Sequence, residues 1–273
     1  MLTINGKSSS LAVQNLLNNI TNDLETTSAR LSSGKRILSA SDDPAGLAIA
    51  SRMKSDLASY GAVSKNIDAG VSLLEVTNTA LNSGTEILTQ MKTLAVQSSN
   101  DSLSAEQRTS IQTAFSELQS QYEETIGNAE LFGKNLLATG GADVDFQTGI
   151  NAGDTYTVAA ADSSGATLGV DSATIQVDSI ANAQTAITAI DTAITDLGVN
   201  QSVIGANQSA LEQRSSFVAS LTENIESARS RIEDADIAKE TSKLAELQTK
   251  QQMATSMLGL VNSFPRNALS LLG

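Results

Sequence analysis

The stretch MKSDLASYGAVSKNIDAGVSLLEVTNTALNSGTEILTQMKTLA (residues 53–95) decides the fold. Met53, Tyr60, Ile67, Leu74, Leu81, Leu88 and Ala95 recur in it every seven residues. A seven-residue apolar repeat draws one stripe along one side of an α-helix, and that stripe has to be covered by a partner helix. Ile190, Leu197, Ile204, Leu211, Val218, Ile225 and Ile232 form a second row of the same period far downstream. The pattern predicts long packed helices whose terminal segments meet, not a compact domain around a pocket.

Working outward from that stretch, the helix starts at Pro44. Ser41-Asp42-Asp43 before it supplies an acidic cap, and Pro is favoured at the first helical position. The row persists to about Ser99, which at 1.5 Å per residue is about 84 Å of helix if unbroken. Gly61, Gly70 and Gly84 each weaken it by roughly 1 kcal/mol against Ala, as a bend or a close approach would require. Upstream, Val13, Leu17, Ile20, Leu24, Thr27 and Leu31 step alternately by four and three, giving a first helix over about Ser9 to Leu31. Gly34 breaks it, and residues 33–43 read as a polar connector. Downstream, Ser104 and Gln107 form a capping box ahead of a third helix with Ile111, Phe115, Leu118, Tyr122 and Ile126 on its apolar face.

Residues 139–180 differ. Turn signals (Gly140-Gly141, Asn151 to Asp154, Ser163-Ser164-Gly165) separate short alternating runs at Val144 and Phe146, Tyr156 and Val158, and Ile175 and Val177. They predict a hairpin or two in an exposed, variable segment. Helix resumes near Ile180 and continues to about Arg231. An acidic link follows (Glu233 to Asp236), then a last helix carrying Ile237, Thr241, Leu244, Gln251, Ala254, Leu258 and Val261, which Pro265 is expected to end. Leu269, Leu271 and Leu272 leave an apolar tail.

The fold class is therefore mainly α: a long antiparallel helical coiled-coil rod, built of a terminal helix pair and a multi-helix bundle, with a small β-hairpin region at 139–180. Residues 1–43 with 234–273 form the terminal coiled coil, 44–138 with 181–233 the bundle, and 139–180 a short insert.

Composition narrows the chemistry. The 273 residues include no His, Cys or Trp, and only 3% are aromatic. Imidazole acid–base work, thiolate nucleophiles, disulfides and His or Cys metal sites are all excluded. The net charge of −13 divides as 0 over residues 1–43, −10 over 44–180 and −3 over 181–273. An acidic chain repels nucleic acid and anionic membrane surfaces, while near-neutral ends suit a partner-facing segment. No run approaches a membrane span, and Met1 to Val13 lacks the basic start and apolar run of a cleavable signal peptide. Neither nucleic-acid binding nor membrane insertion is expected, and no cofactor or metal.

The adjacent carboxylates do not form a catalytic pair. Neighbouring helical residues point apart, so Glu123-Glu124 reads as a solvated face and Asp42-Asp43 as a helix cap. Gly140-Gly141 and Gly165 to Gly169 lack a phosphate-loop Lys, and Glu233 to Asp236 lacks the calcium-loop pattern. No active site emerges.

The terminal pair does carry an unmet need. Two helices alone bury one stripe. At about 1.5–3 kcal/mol per fully buried Leu or Ile, that stripe barely offsets an ordering entropy of about 1–2 kcal/mol per residue. Leu16, Met253, Met257, Leu260 and Phe264 lie off the seam and call for further partners, of which copies of the same chain are the simplest. Val13, Leu17, Ile20, Leu24, Leu31, Ile237, Leu244, Leu247, Leu258 and Val261 are the candidate self-assembly residues. Ser163, Ser164 and Thr167 are candidate O-glycosylation sites in a turn expected to be exposed.

These residues resemble bacterial flagellin. Leu31-Ser32-Ser33-Gly34-Lys35-Arg36-Ile37 through Ser41-Asp42-Asp43-Pro44-Ala45-Gly46-Leu47-Ala48-Ile49-Ala50 is similar to the family's N-terminal signature, and Leu94-Ala95-Val96-Gln97-Ser98 to its next block. Phe146-Gln147-Thr148-Gly149 with Asn151-Ala152-Gly153-Asp154 resembles its β-hairpin. The C-terminal match runs from Ser227-Ala228-Arg229-Ser230-Arg231-Ile232 to Asn267-Ala268-Leu269-Ser270-Leu271-Leu272. The large outer domain of longer members is missing.

The resemblance implies a structural subunit, exported unfolded through the flagellar type III apparatus with an export chaperone and without a cleavable signal peptide. It implies polymerisation under a cap into an extracellular helical filament, joined to the hook by junction proteins. In that picture the terminal segments make an inner tube, the bundle makes an outer tube, and the hairpin influences filament shape. A hook–filament junction protein of the same family is the alternative. The zinc protease that some members carry in the insert needs an H-E-x-x-H motif, which a chain without His cannot supply. The family's innate-receptor patch falls on Gln90, Leu94 and Ala114. Arg and Glu are usual at the first and third, so two charge-assisted contacts worth about 1.5–3 kcal/mol each would be absent, and weak or no receptor activation is expected.

Overall fold

The computed structural model describes residues 6–270, with side chains described for 8–263. The elements are α1 (Gly6–Ser33), α2 (Pro44–Ser98), α3 (Ala105–Gly127), β1 (Glu130–Leu131), β2 (Lys134–Asn135), β3 (Val144–Gln147), β4 (Thr155–Val158), α4 (Gly165–Leu168), α5 (Ile180–Glu233) and α6 (Ile237–Ser270). They group into two compact units. One is Ala58–Thr222, and the other joins residues up to Leu57 with those from Glu223 onward. Helices α2 and α5 each contribute to both.

In the larger unit the quoted stretch behaves as its period requires. Ile67, Leu74, Leu81, Leu88 and Ala95 are all fully buried. So is a second heptad row on the same helix, Val63, Gly70, Thr77, Gly84, Met91 and Ser98. Helix α5 answers with Ala183, Ala186, Ile190, Ala193 and Leu197, alternating three and four apart, then Ile204, Leu211 and Val218. The pair is antiparallel: Lys92 is ion-paired to Asp191 at 2.5 Å, while Gln201 donates to Asn82 at 2.9 Å. Small residues let these backbones approach. A β-carbon placed at Gly70 would lie 3.0 Å from Leu211 Cδ1, and one at Gly84 would lie 3.1 Å from Tyr122 Cε2. Close approach, rather than a bend, accounts for both glycines.

Helix α3 starts on the expected capping box. Ser104 N–H donates to Gln107 Oε1 at 2.9 Å, and Gln107 N–H to Ser104 Oγ at 3.3 Å. It lays Ile111, Phe115, Tyr122 and Ile126 into the core.

The β region needs correction. Val144–Gln147 and Thr155–Val158 do pair as an antiparallel hairpin, Phe146 opposite Tyr156. Ile175 and Val177 form no strand. They are single buried plugs, 3% and 0% exposed. A further two-residue hairpin, β1–β2, lies earlier than the expected region. The segment 139–180 is also not an exposed insert: Val158, Val170, Ile175 and Val177 belong to the main core.

Side chains of the helices hold this segment from below. Gln119 Nε2 donates to the carbonyls of Val170 (2.9 Å) and Ile175 (3.2 Å). Tyr122 donates to the Ser163 carbonyl at 2.7 Å, Gln112 Oε1 accepts from Val177 N–H at 2.5 Å, and Ser98 donates to the Val177 carbonyl. Asn135 Nδ2 caps the end of α3 at the Ile126 and Gly127 carbonyls, both at 2.9 Å. Buried backbone polar groups need partners, and these amides and hydroxyls supply them where no ladder can.

Helix α6 also departs from expectation. It runs through Pro265 to Ser270. Proline removes one backbone donor from the helix interior, a cost that does not by itself end a helix. No helix among the described residues is long and apolar enough to cross a membrane.

Candidate self-assembly surface

Helices α1 and α6 are antiparallel: Arg30 lies against Glu240, while Ser10 donates to Asn262 at 3.3 Å. The seam is the one the spacing drew. Ile20, Leu247 and Ala254 are buried at its centre, with Leu17 and Leu24 packed on them. Val13, Leu31, Leu244, Leu258 and Val261 are half-buried along it. Two seam assignments fail. Ile237 is 48% exposed, and Thr241 is exposed as well. The position between them is taken by Glu240, which is 8% exposed.

Glu240 belongs to a polar layer the sequence reading missed. Arg30 reaches its Oε1 at 3.9 Å and Asp42 Oδ1 at 3.6 Å, and Thr27 is fully buried beside Arg30 on the same helix face. Thr27 Oγ1, Arg30 Nε and Glu240 Oε2 are buried without a hydrogen-bond partner among the described residues. The signal was present, since Glu240 is four residues before Leu244 and so on the heptad stripe. A polar layer in an apolar seam fixes register at a cost in stability.

The connector before α2 is clamped. Arg36 N–H donates to the Glu233 carbonyl at 2.7 Å, Ala235 N–H to the Gly34 carbonyl at 2.9 Å, and Lys35 is ion-paired to Glu233. Asp42 accepts the Leu38 and Ser39 N–H groups, both at 3.0 Å. Those backbone donors, Ser39 first, hold its carboxyl below the usual carboxylate range. Asp43 caps α2 by accepting Gly46 N–H at 2.8 Å.

Away from the seam the terminal pair presents bare apolar side chains. Leu11 (58%), Leu16 (49%), Met253 (54%), Met257 (54%) and Leu260 (61%) are all exposed. Phe264 lies outside the residues whose side chains are described, as do Leu269, Leu271 and Leu272. These exposed Leu and Met side chains on two helices, beside a thin buried seam, form a candidate interaction surface.

The candidate modification sites fare differently. Ser163 is fully buried; its hydroxyl donates to the Ala161 carbonyl at 2.8 Å and accepts from Asn200 at 2.9 Å. Ser164 is 5% exposed and is the N-cap of α4. Neither is accessible to a glycosyl transfer. Thr167 is exposed, with its hydroxyl donating to Asp162 at 2.9 Å. The turn looked open because it is polar, but its polar groups bond one another. Of the receptor-patch equivalents, Gln90 and Ala114 are exposed, and Leu94 is half-buried against the core.

Glu123 is exposed, as a solvated face requires, but its carboxyl is partly desolvated. Burial pushes its carboxyl above the ordinary value, against the Gly165 N–H it accepts, and Asp171 and Asp162 add repulsion. A carboxyl raised on folding contributes stability below its unfolded value, near pH 4.3, that is lost as pH rises through the folded one. Glu123→Gln is therefore expected to raise the melting temperature near pH 7, with the gain vanishing toward pH 4. Equal effects at both pH values in thermal melts would contradict this.

Among the described residues, no group of three or more His, Cys, Asp or Glu side chains could hold a metal ion. The fold and its bare terminal stripe define a long-helix protein with an uncovered apolar face on its terminal pair. Residues 4–141 match the family described as the bacterial flagellin N-terminal helical region, and residues 187–272 match its C-terminal helical region; the chain belongs to the bacterial flagellin family. It is 33% identical to the B-type flagellin of Pseudomonas aeruginosa over 62% of its own length and 34% of that protein's. It is 36% identical to the phase 2 flagellin of Salmonella typhimurium over 62% and 33%. The matched part thus spans about a third of these curated relatives. Among solved structures it resembles Bacillus cereus flagellin (TM-score 0.51, 28% identity, 60% of this chain and 94% of that one). A Vibrio parahaemolyticus protein described as hook-associated shares the fold (TM-score 0.59, 14% identity, 71% and 100%).

Proposed function

We propose that this chain is the structural subunit of a bacterial flagellar filament and works by polymerising with copies of itself. The observation that carries this reading is the exposed stripe of Leu11, Leu16, Met253, Met257 and Leu260 on a terminal pair whose own seam buries few apolar side chains. Neighbouring copies cover that stripe and give each terminal helix the burial it lacks alone. Residues 1–43 and 234–273 then form the inner layer of the polymer, and 44–138 with 181–233 the outer. Val13, Leu17, Ile20, Leu24, Leu31, Leu244, Leu247, Leu258 and Val261 set the pair whose outer faces meet.

On this reading the filament lies outside the cell. The chain leaves unfolded through the type III export apparatus with its chaperone, and it adds beneath a cap onto hook-junction proteins. Its role is structural and non-enzymatic, consistent with a family of structural proteins. Salting-out of purified chain followed by electron microscopy tests the reading: long tubes are expected, whereas short collars would favour the junction role. With Gln90 and Ala114 at the receptor-patch positions, purified monomer should give little or no signal in an innate-receptor reporter assay; a full-strength response would overturn that.

A further inference from the structure

Phe132 is an anomaly that neither the core nor the seam explains. It sits at φ +54 at the tip of the β1–β2 hairpin, followed by Gly133 at φ +74. Two successive residues in the left-handed region make the turn for which Asn-Gly is favoured, and a bulky aromatic at the first position is strained. The side chain is also 78% exposed, while its neighbour Leu131 packs on the core. A strained Phe left 78% exposed gains little burial within its own chain, and burial against another chain would offset the strain.

The same unit offers a receptor for it. A groove of about 370 Å³ lies between α2 and the β3–β4 turn, with Ala62, Val63, Ile150 and Ala152 as its apolar lining. Asn66 Nδ2 bonds the Gln147 carbonyl at 3.4 Å, tying the two walls together. Charges complete the match. Glu130 and Lys134 flank Phe132, and Lys65 and Asp68 stand exposed on the α2 turns beside the groove. None of the four belongs to an ion pair described within the chain.

We propose that Phe132 of one copy seats in the Ala62–Val63–Ile150–Ala152 groove of the next, with Glu130 toward Lys65 and Lys134 toward Asp68. Knob and groove are different patches on one chain, so the contact is heterologous and propagates into an open series instead of closing on a pair. The flanking charges fix its orientation. The inference rests on the filament reading and adds a contact outside the terminal helices.

The chain has no cysteine, so introduced thiols report without background. Polymers of the full chain carrying Glu130→Cys and Lys65→Cys, treated with a short bis-maleimide, should give a ladder of multimers on a denaturing gel. Glu130→Cys alone should give none. Adding Phe132→Asn to the double variant should remove the ladder. Phe132→Asn by itself should raise the critical concentration for polymerisation roughly tenfold or more, while the monomer melts at the same or a higher temperature. Filaments without a ladder, dimers from Glu130→Cys alone, or an unchanged critical concentration in Phe132→Asn would overturn the contact and leave the filament reading intact. Failure of the unsubstituted chain to polymerise at all would overturn both.

Discussion

Removal of residues 237–273 is expected to abolish polymerisation at every salt concentration while leaving the unit Ala58–Thr222 folded. The two halves of the expectation rest on different residues. The described core residues of that unit run from Val63 to Val218, and all of them lie within Ala58–Thr222. Its cooperative unfolding should shift by no more than a few degrees. The terminal pair depends entirely on α6. Without Leu247 and Ala254, Ile20 loses its buried neighbours, and Arg30 loses Glu240. Isolated amphipathic helices are marginal in water, so α1 should lose most of its helicity when its stripe has no partner. Met253, Met257 and Leu260 go with the deletion, leaving only Leu11 and Leu16 of the exposed terminal stripe. Circular dichroism should therefore show a helical loss exceeding the deleted segment, alongside a preserved thermal transition. Filaments from the truncated chain in the electron microscope would refute the assembly role given to α6.

How much of this could be read in the sequence depends on how the burial is encoded. Helices α2 and α5 were legible because their apolar residues repeat with a helical period over many turns, and each repeat restates the same face. Ser104 with Gln107 and Asp43 with Pro44 were legible because capping is local chemistry. The terminal seam was legible except at the start of α6, where Ile237 and Thr241 are exposed and Glu240 occupies the stripe position between them, which only the facing Arg30 explains. The segment 139–180 was not. Ile175, Val177, Val170 and Val158 are core residues set singly among turn formers, so each carries the local signature of a loop. Their burial is decided by packing on the helix core and by Gln119 and Tyr122, which lie far away in the chain. Ser163 and Ser164 looked exposed for the same reason: polarity indicates a hydrogen bond without saying whether the partner is water or protein.

That dependence makes Tyr122 the most consequential single position in the larger unit. Its ring is 1% exposed and lies against Gly84, and its hydroxyl donates to the Ser163 carbonyl at 2.7 Å. Tyr122→Ala removes a large buried ring from beneath residues 159–177, which form no strand of their own, and should cost about 3–5 kcal/mol in chemical unfolding. Tyr122→Phe keeps the ring and orphans one buried carbonyl, for about 1–3 kcal/mol. Hydrogen exchange should separate the two effects. Ala exposes amides across the whole unit, whereas Phe loosens residues 159–177 first, where the Ala161 and Ser163 amides bond back to Leu136 and Leu137. The pH dependence gives an independent check. Burial, with repulsion from Glu123 and Asp162, pushes the Tyr122 phenol well above its ordinary value. An acid raised on folding gives stability that is full below its unfolded value, near pH 10, and lost as pH rises beyond it. The wild-type chain should therefore lose stability above about pH 10 more steeply than Tyr122→Phe does. If Tyr122→Ala cost under about 1 kcal/mol, far below the range for a buried ring, or if the two alkaline profiles ran parallel, the segment would not hang on this side chain.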